Sequence, residues 1–494
     1  MSRRGLSRRD FITACGVSLV MPALSGASAQ VQGTLVNDAQ TAMNPTRVAR
    51  VISIHNLDEA RALIREANTS GRAIAIAGAR HASGGQQFRA GQLLIDTRSW
   101  NAVSRFDQER GLITVSGGIE WPDLMSFYLN AQKGKTRQWG IAQKQGGLDR
   151  LTIGGTLSAN AHGHTLYLPP IVANVESFEL LDAEGKVQTC SRETNPELFR
   201  CAIGGYGLFG LISAVTLRLA PRQKLRRNVQ WANLDEVVPT LESRAATGSL
   251  YGDYQYSIDE TSPDFVHRGI LTTFDPAGAD AVADEEPREL PADALEGLLL
   301  LAHTDRAKAF KTFAEATLAS SGEVVWSDTH QYSPYPAGYH RRLDQTLRSA
   351  NPGSDPLGEV YVPRDQLATY LGDARRELLA RKSQVVYGTV RSIKRDSETF
   401  LAWAKHDYAC VIFTLHTDIT DEGIARTSDT FRALISMAVA RGGSYYLTYN
   451  RFADRKLLDA AYPQFSEFLQ LKKKYDPKEI FQSDWYRGYL DPNA

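Results

Sequence analysis

The sequence predicts an α+β protein built in two successive parts, and three observations support this. Residues 46–222 alternate strand-like apolar runs with helical patterns, a mixed α/β layout. Three glycine-rich stretches lie in that region, at Gly78–Gln86, Ile153–Gly163 and Gly204–Gly210. Residues 223–440 lack such glycines and interleave strands with helices, as an antiparallel sheet under helices would. A chain of 494 residues suggests two or three domains, and 43% hydrophobic with 23% charged residues is ordinary globular composition. A formal net charge of zero offers no argument for nucleic-acid binding.

The first residues read as a targeting segment. Ser7-Arg8-Arg9-Asp10-Phe11-Ile12 is a twin-arginine signature, followed by an apolar run and a small-residue cleavage site at Ala27-Ser28-Ala29. Export to the periplasm or outside the cell through the twin-arginine machinery is expected. Removing residues 1–29 takes away four arginines and one aspartate, so the net charge of zero becomes about −3. No later run is long and apolar enough to anchor the chain in a membrane.

The elements follow in order. Val48–Ile54 reads as a strand. Asn56 can cap a helix carrying Ala60, Leu63, Ile64 and Ala67 on one face, ended by Gly71. Strands follow at Ala73–Ala77, Leu93–Asp96 and Gly111–Gly117, with a helix near Trp121–Leu129. Phe178–Asp182, Lys186–Cys190 and Leu211–Leu219 are further strands. Asp275–Glu296 is acidic and rich in Pro and Ala, an exposed connection. Ala307–Ser320 and Gln366–Leu379 read as helices, and Gly358–Val362, Gln384–Lys394 and Ala409–Asp418 as strands.

Small residues let a backbone approach a ligand closely, and successive N–H groups can form an anion nest. The Ala73–Ala77 strand feeding a loop with Gly78, Gly84, Gly85 and His81 is therefore a candidate diphosphate cradle, with His81 a candidate covalent anchor. Cys190, Cys201 and Cys410 have no metal-type spacing; Cys190 and Cys201 are either a disulfide or two buried thiols. His162 and His164 read as packing or cofactor-side contacts, and no metal site is expected.

His81 with Gly85-Gln86 resembles the G-H-S-x-x-G-Q loop of cytokinin dehydrogenases, which are FAD-linked oxidoreductases of the vanillyl-alcohol-oxidase type. The resemblance continues through Leu151-Thr152-Ile153-Gly154-Gly155-Thr156-Leu157-Ser158, Asn195-Pro196-Glu197-Leu198-Phe199 and Gly204-Gly205-Tyr206-Gly207-Leu208-Phe209-Gly210. Ala161-His162-Gly163 is more similar to bacterial alditol and sugar-lactone oxidases, and Lys474-Tyr475-Asp476-Pro477 to the family's closing segment. After the signal peptide read at 1–29, the resemblance implies an FAD-binding domain at 46–222, an inserted substrate (cap) domain at 223–440, and a segment 441–494 that returns to the FAD domain. It implies FAD held through a single covalent bond to His81, since Gly146–Arg150 lacks the cysteine of doubly linked relatives. Ala82 stands where the family has serine. Cofactor contacts then fall to Gly78, Ala79, Arg80, His81, Ala82, Ser83, Gln86, Thr152, Gly154, Gly155, Ser158, Ala159, His162, Gly163, Gly207, Gly210, Ile212 and Asn450.

Strand alternation places Glu359 with Tyr361, Tyr387 with Thr389 and Arg391, and Thr414 with His416 on polar faces. Such a face could line a substrate pocket or be the sheet's solvent side. In alditol oxidases a similar glutamate is followed two residues later by arginine; here that position is Tyr361. The chemistry implied is hydride transfer from an alcohol, polyol or sugar-type donor to FAD, then to oxygen or a quinone-like acceptor. Glu359 is the first candidate for base or orienting group, Arg391 for holding an anion or polarising an oxygen, and Tyr446, Tyr449 and Asn450 for closing the pocket. Lys394 reaches the pocket only if its strand bulges or ends. Two other readings stay open: an amine oxidoreductase, and a catalytically silent ligand-binding protein. Cytokinin dehydrogenases carry an aspartate where Gly147 stands here, with Asp149 displaced by two, which argues against an adenine-type amine.

Overall fold

The computed structural model describes residues 33–278, 280–283 and 292–490. The twin-arginine segment and much of the acidic stretch lie outside the described residues. Asn56 accepts a hydrogen bond from the Glu59 backbone and starts the helix Leu57–Ser70, which Gly71 ends at a left-handed φ of 66°. That helix crosses between two strands of a parallel three-stranded sheet, Arg50–Ser53 and Ile74–Ala77, with Leu93–Asp96 between them. Beside it lies an antiparallel five-stranded sheet in the order Val187–Ser191, Val175–Leu181, Leu211–Arg218, Leu112–Ser116, Val103–Asp107.

Eight of the strands after residue 223 form one antiparallel sheet. Its order is Val324–Trp326, Lys224–Asn233, Arg268–Pro276, Tyr251–Tyr256, Val385–Ile393, Tyr408–Leu415, Leu357–Pro363, Ser444–Tyr445. Alternation gives it two unlike faces. One row pairs Tyr254, Val390, Val411 and Val360, all buried. The row beside it pairs Asp253, Arg391, Cys410 and Tyr361, and the next pairs Thr389, Ile412 and Glu359. The apolar face is covered by helices, among them Leu367–Ala380, which buries Leu367, Tyr370, Leu371, Ala374 and Leu378 as its period predicts.

Residues 480–482 extend the parallel sheet. The Ile74 N–H donates to Ile480 O at 2.6 Å, and the Gln482 N–H donates to Ile74 O at 2.9 Å. The following helix, Asp484–Leu490, packs on the first glycine loop, where the Trp485 N–H donates to Gly85 O at 3.3 Å and Arg89 pairs with Asp484 at 3.0 Å. The first glycine loop is thereby held by residues about 400 positions downstream.

Two expectations change and one open alternative is decided. The exposed connection ends early, because Ala292–Thr304 is a helix. The strand expected to run to Asp418 stops at Leu415, and His416 turns away to bond Asp355. Cys190 and Cys201 are free, buried thiols rather than a disulfide. Among the described residues no helix is long and apolar enough to cross a membrane.

Candidate active site

A cavity of about 380 Å³ lies where the glycine loops meet the polar face of the eight-stranded sheet. The first two glycine motifs touch directly. A Cβ on Gly78 would fall 2.1 Å from Thr152 Oγ1, so only glycine lets the Ile74–Ala77 strand turn against that threonine. Thr152 in turn caps the short helix Ile153–Ser158 by accepting from the Gly155 N–H. Arg80 carries a left-handed φ of 64°, uncommon for a residue with a Cβ and a local strain directly before His81.

His81 is half-buried in the cavity wall, its ring edge-on to Tyr335 at 5.4 Å. Burial pushes its imidazole down to about 4, against a weaker upward pull from Asp38. At neutral pH it is an uncharged ring, and its Nδ1 has no partner among the described residues. Ser83 Oγ, Gln87 Oε1 and Asn450 Oδ1 are likewise buried without partners. The Thr448–Asn450 segment lies on the same loop: the Ser83 N–H donates to Thr448 O at 3.0 Å. Buried polar atoms normally find partners, so this set of unmatched atoms around one loop fits a polar cofactor.

Across the cavity stands Glu359. Its Oε1 accepts from the Tyr361 hydroxyl, from Cys410 Sγ at 3.2 Å and from His162 Nε2 at 2.5 Å; its Oε2 accepts from the Tyr449 hydroxyl at 3.3 Å. His162 Nδ1 lies 2.9 Å from Gly163 O, an acceptor only. Both ring nitrogens therefore face acceptors, and the ring shares or donates a proton to Glu359. Burial would raise the Glu359 carboxyl, but His162, Tyr361 and Arg391 outweigh it and hold the group at about 2. A carboxylate so stabilised is a poor proton acceptor, so of the two roles expected of it, base or orienting group, these surroundings favour the orienting, charged one. Arg391 is buried, lines the same cavity and has no ion pair among the described residues. A guanidinium nitrogen lies only 2.8 Å from where a Cβ on Gly146 would sit, so glycine admits it there.

The expected residues divide clearly. Gly78, Ala79, Arg80, His81, Ala82, Gln86, Thr152, Gly154, Gly155, Ser158, Ala159, His162, Gly207, Gly210 and Ile212 line this one cavity with Glu359, Arg391 and Tyr449. Tyr361 does not; it stacks on Trp403 at 4.4 Å and bonds Glu359 from behind, which makes it a positioning residue. Ser83, Gly163 and Asn450 sit just behind the wall. Tyr387 and Thr414 line the cavity, while Thr389 is tied to Tyr254 O at 3.0 Å. His416 has left the face, Tyr446 bonds Ala159 O at 2.8 Å, and Lys394 pairs outside with Asp407 at 2.9 Å. Sequence reasoning missed Leu295, Leu299, Tyr335 and Tyr339, which close the His81 side. The Pro334-Tyr335-Pro336 run was the only local signal for any of them.

A family model described as an FAD binding domain matches residues 48–191. Those residues form an FAD-binding domain. Within and around it the chain is 35% identical over 125 residues to cytokinin dehydrogenase 9 of Oryza sativa subsp. japonica, covering 25% of this chain and 22% of the relative. It is 30% identical over 171 residues to an uncharacterised oxidoreductase of Rhodococcoides fascians, covering 33% of this chain and 35% of the relative. It is 30% identical over 146 residues to the mitochondrial L-galactono-1,4-lactone dehydrogenase of Arabidopsis thaliana, covering 29% and 22%. The matches thus span about a fifth to a third of these relatives' lengths. The FAD-binding domain holds the His81 loop and the Thr152–Ser158 turn; the Glu359 and Arg391 side of the cavity lies outside the matched segment.

Proposed function

We propose that this chain is an exported FAD-dependent oxidoreductase that takes a hydride from an alcohol, polyol or sugar-type donor. In this reading residues 46–222 and 441–494 make a two-part FAD-binding domain of the vanillyl-alcohol-oxidase type, and residues 223–440 cap it. The observation that carries the proposal is the placement of Glu359 and Arg391 on one polar sheet face, opening onto the cavity that His81 and Thr152 line. His81 and the unmatched polar atoms near it would hold FAD, with His81 as its covalent attachment. FAD supplies the two-electron acceptor, reoxidised by oxygen or a quinone-like molecule.

The protein's own groups do the rest. Glu359, fixed by four donors, accepts the donor hydroxyl's hydrogen bond at Oε2 and places negative charge beside the carbon that becomes electron-poor. As the C–H bond gives its hydride to the flavin, the O–H bond breaks and its proton passes along this contact to solvent water entering the cavity, leaving a carbonyl. Arg391 grips a second oxygen of the donor. The amine reading, suggested by the plant relatives' names, is disfavoured by the fate of Asp149. That carboxylate pairs with buried Lys144 at 2.7 Å and accepts from the Ser333 N–H at 2.9 Å, so it is spent on structure.

A panel of alcohols, sugars and amines, mixed anaerobically with the protein and followed by flavin bleaching, tests the proposal. Repeating turnover with a dye, with and without oxygen, separates the acceptors. Bleaching by amines alone overturns the donor class, and bleaching by nothing in the panel favours a silent binder. Arg391→Ala should raise KM by about ten- to a hundredfold with little change in kcat, the value of one hydrogen bond to a charged group. An unchanged KM removes Arg391 from donor binding. Arg8→Lys with Arg9→Lys should leave the precursor in the cytoplasm, and normal periplasmic yield of that variant would refute twin-arginine export.

A further inference from the structure

A second polar cluster lies behind the cavity wall and has no part in the chemistry above. Three histidines converge there on one carboxylate, Asp355, whose side chain is fully buried. His303 Nε2 is 3.0 Å and His416 Nδ1 2.9 Å from Asp355 Oδ1, and His340 Nδ1 is 3.7 Å from Oδ2. The Tyr339 hydroxyl donates to Oδ2 at 2.8 Å. These residues come from four separate places: the end of the Ala292–Thr304 helix, the start of the Tyr339–Leu347 helix, the segment before the Leu357–Pro363 strand, and the residue after Leu415.

The outer nitrogens define what the inner ones present. His303 Nδ1 faces Leu299 O at 2.7 Å, and His340 Nε2 faces Gln40 O at 3.2 Å. A carbonyl only accepts, so each of those nitrogens carries hydrogen. The inner nitrogen of each ring therefore aims either a lone pair or a second proton at Asp355. Asp355 balances one imidazolium, but protonating more than one of the rings would leave uncompensated positive charge out of water, which is costly. Neutral rings with outer N–H groups held by carbonyls and lone pairs turned inward are the arrangement that metal-ligating histidines show.

We propose that this cluster binds one divalent transition-metal cation of the zinc class, with His303 Nε2, His416 Nδ1 and Asp355 Oδ1 as ligands and His340 Nδ1 the next donor. The three ligand atoms all lie within 4.8 Å of one another. Bonds of about 2.0–2.1 Å to imidazole and carboxylate put tetrahedral ligands roughly 3.3–3.4 Å apart, so small outward shifts admit the ion. Imidazoles with one carboxylate select zinc-like metals over calcium or magnesium, which prefer oxygen-only shells. The ion would lock the wall of the cavity: Tyr339 lines it, and so does Leu299, whose carbonyl holds the His303 ring. Ser354, next to Asp355, bonds Thr41 O at 2.7 Å, so the same point also ties in the first described residues.

The test uses untagged holoprotein, stripped with a chelator and titrated with Zn²⁺, with bound metal measured by elemental analysis after gel filtration. The expected result is one Zn²⁺ per chain and a melting temperature that rises with free Zn²⁺. The half-exposed rim makes His416→Gln the mild variant; it should weaken Zn²⁺ binding by at least about a hundredfold, beyond the loss typical of outer-shell changes. His303→Gln with His416→Gln should abolish it, while flavin content reports that both variants fold. Co²⁺ in place of Zn²⁺ should give ligand-field absorption to the red of the flavin bands in wild type alone. Absence of retained Zn²⁺ in wild type, or equal retention in the folded double variant, overturns the proposal and leaves a plain hydrogen-bonded cluster.

Discussion

Glu359→Gln should slow anaerobic flavin reduction by about a hundred- to a thousandfold, the loss typical when one preorganised electrostatic group is removed from a transition state. The substitution nearly preserves shape. It removes the negative charge that faces Arg391 and His162 across the cavity, and it turns one accepting position into an N–H donor among groups that themselves donate. Flavin content should stay normal, because the loops at Gly78–Gln86 and Thr152–Ser158 come from the other part of the chain. The pH profile separates a fixed charge from a general base. A carboxyl lowered to about 2 keeps its charge at all higher pH and loses it only as pH falls through 2. Reduction by wild type should therefore show no acid limb near the ordinary carboxylate value of about 4.3. Stopped-flow reduction at saturating donor, across pH, decides both points. Wild-type rates in Glu359→Gln would remove the residue from the chemistry; a limb near the ordinary value would restore it as the base.

His81→Ala should release the flavin completely into the supernatant after acid precipitation, whereas wild-type precipitate stays yellow. The reason is in the ring's surroundings. Burial keeps the imidazole uncharged above about pH 4, and among the described residues nothing bonds to Nδ1, so the tautomer with a free lone pair there is open to the ring. An uncharged, unpartnered nitrogen facing a cofactor cavity is a competent nucleophile. The variant should also oxidise donors more slowly, since a flavin without that bond is commonly a weaker oxidant. Colourless wild-type precipitate would reduce His81 to a loop residue.

Much of the scaffold was legible because it depends on neighbours in sequence. The Asn56 cap, the Ala60, Leu63, Ile64 and Ala67 stripe and Gly71 specify the Leu57–Ser70 helix by themselves. The Leu93–Asp96 strand and the Leu367–Ala380 helix are equally local. Glycine at positions 78, 154 and 207 announced close approach of backbone, and the cavity is built on those positions. Alternation also assigned Glu359, Tyr387 and Arg391 to a common polar face, since a strand's period of two needs no tertiary information.

Alternation cannot say how far along a strand the face continues, nor what lies beneath it. His416 has the right parity, but its strand stops at Leu415 and the ring swings to Asp355. Tyr361 shares parity with Glu359, yet the Trp403 ring draws it behind the wall. The Glu359 environment was beyond reach for the same reason: His162 and Glu359 are 197 positions apart, and their pairing favours the charged carboxylate. The chain alone thus determined which segments form strands, helices and close turns, because those follow from short-range sterics and periodicity. Only the tertiary structure decided which charges meet. Burial and pairing between distant segments set the state of His81, Glu359, Arg391 and the histidines around Asp355, and no local pattern encodes the distance between them.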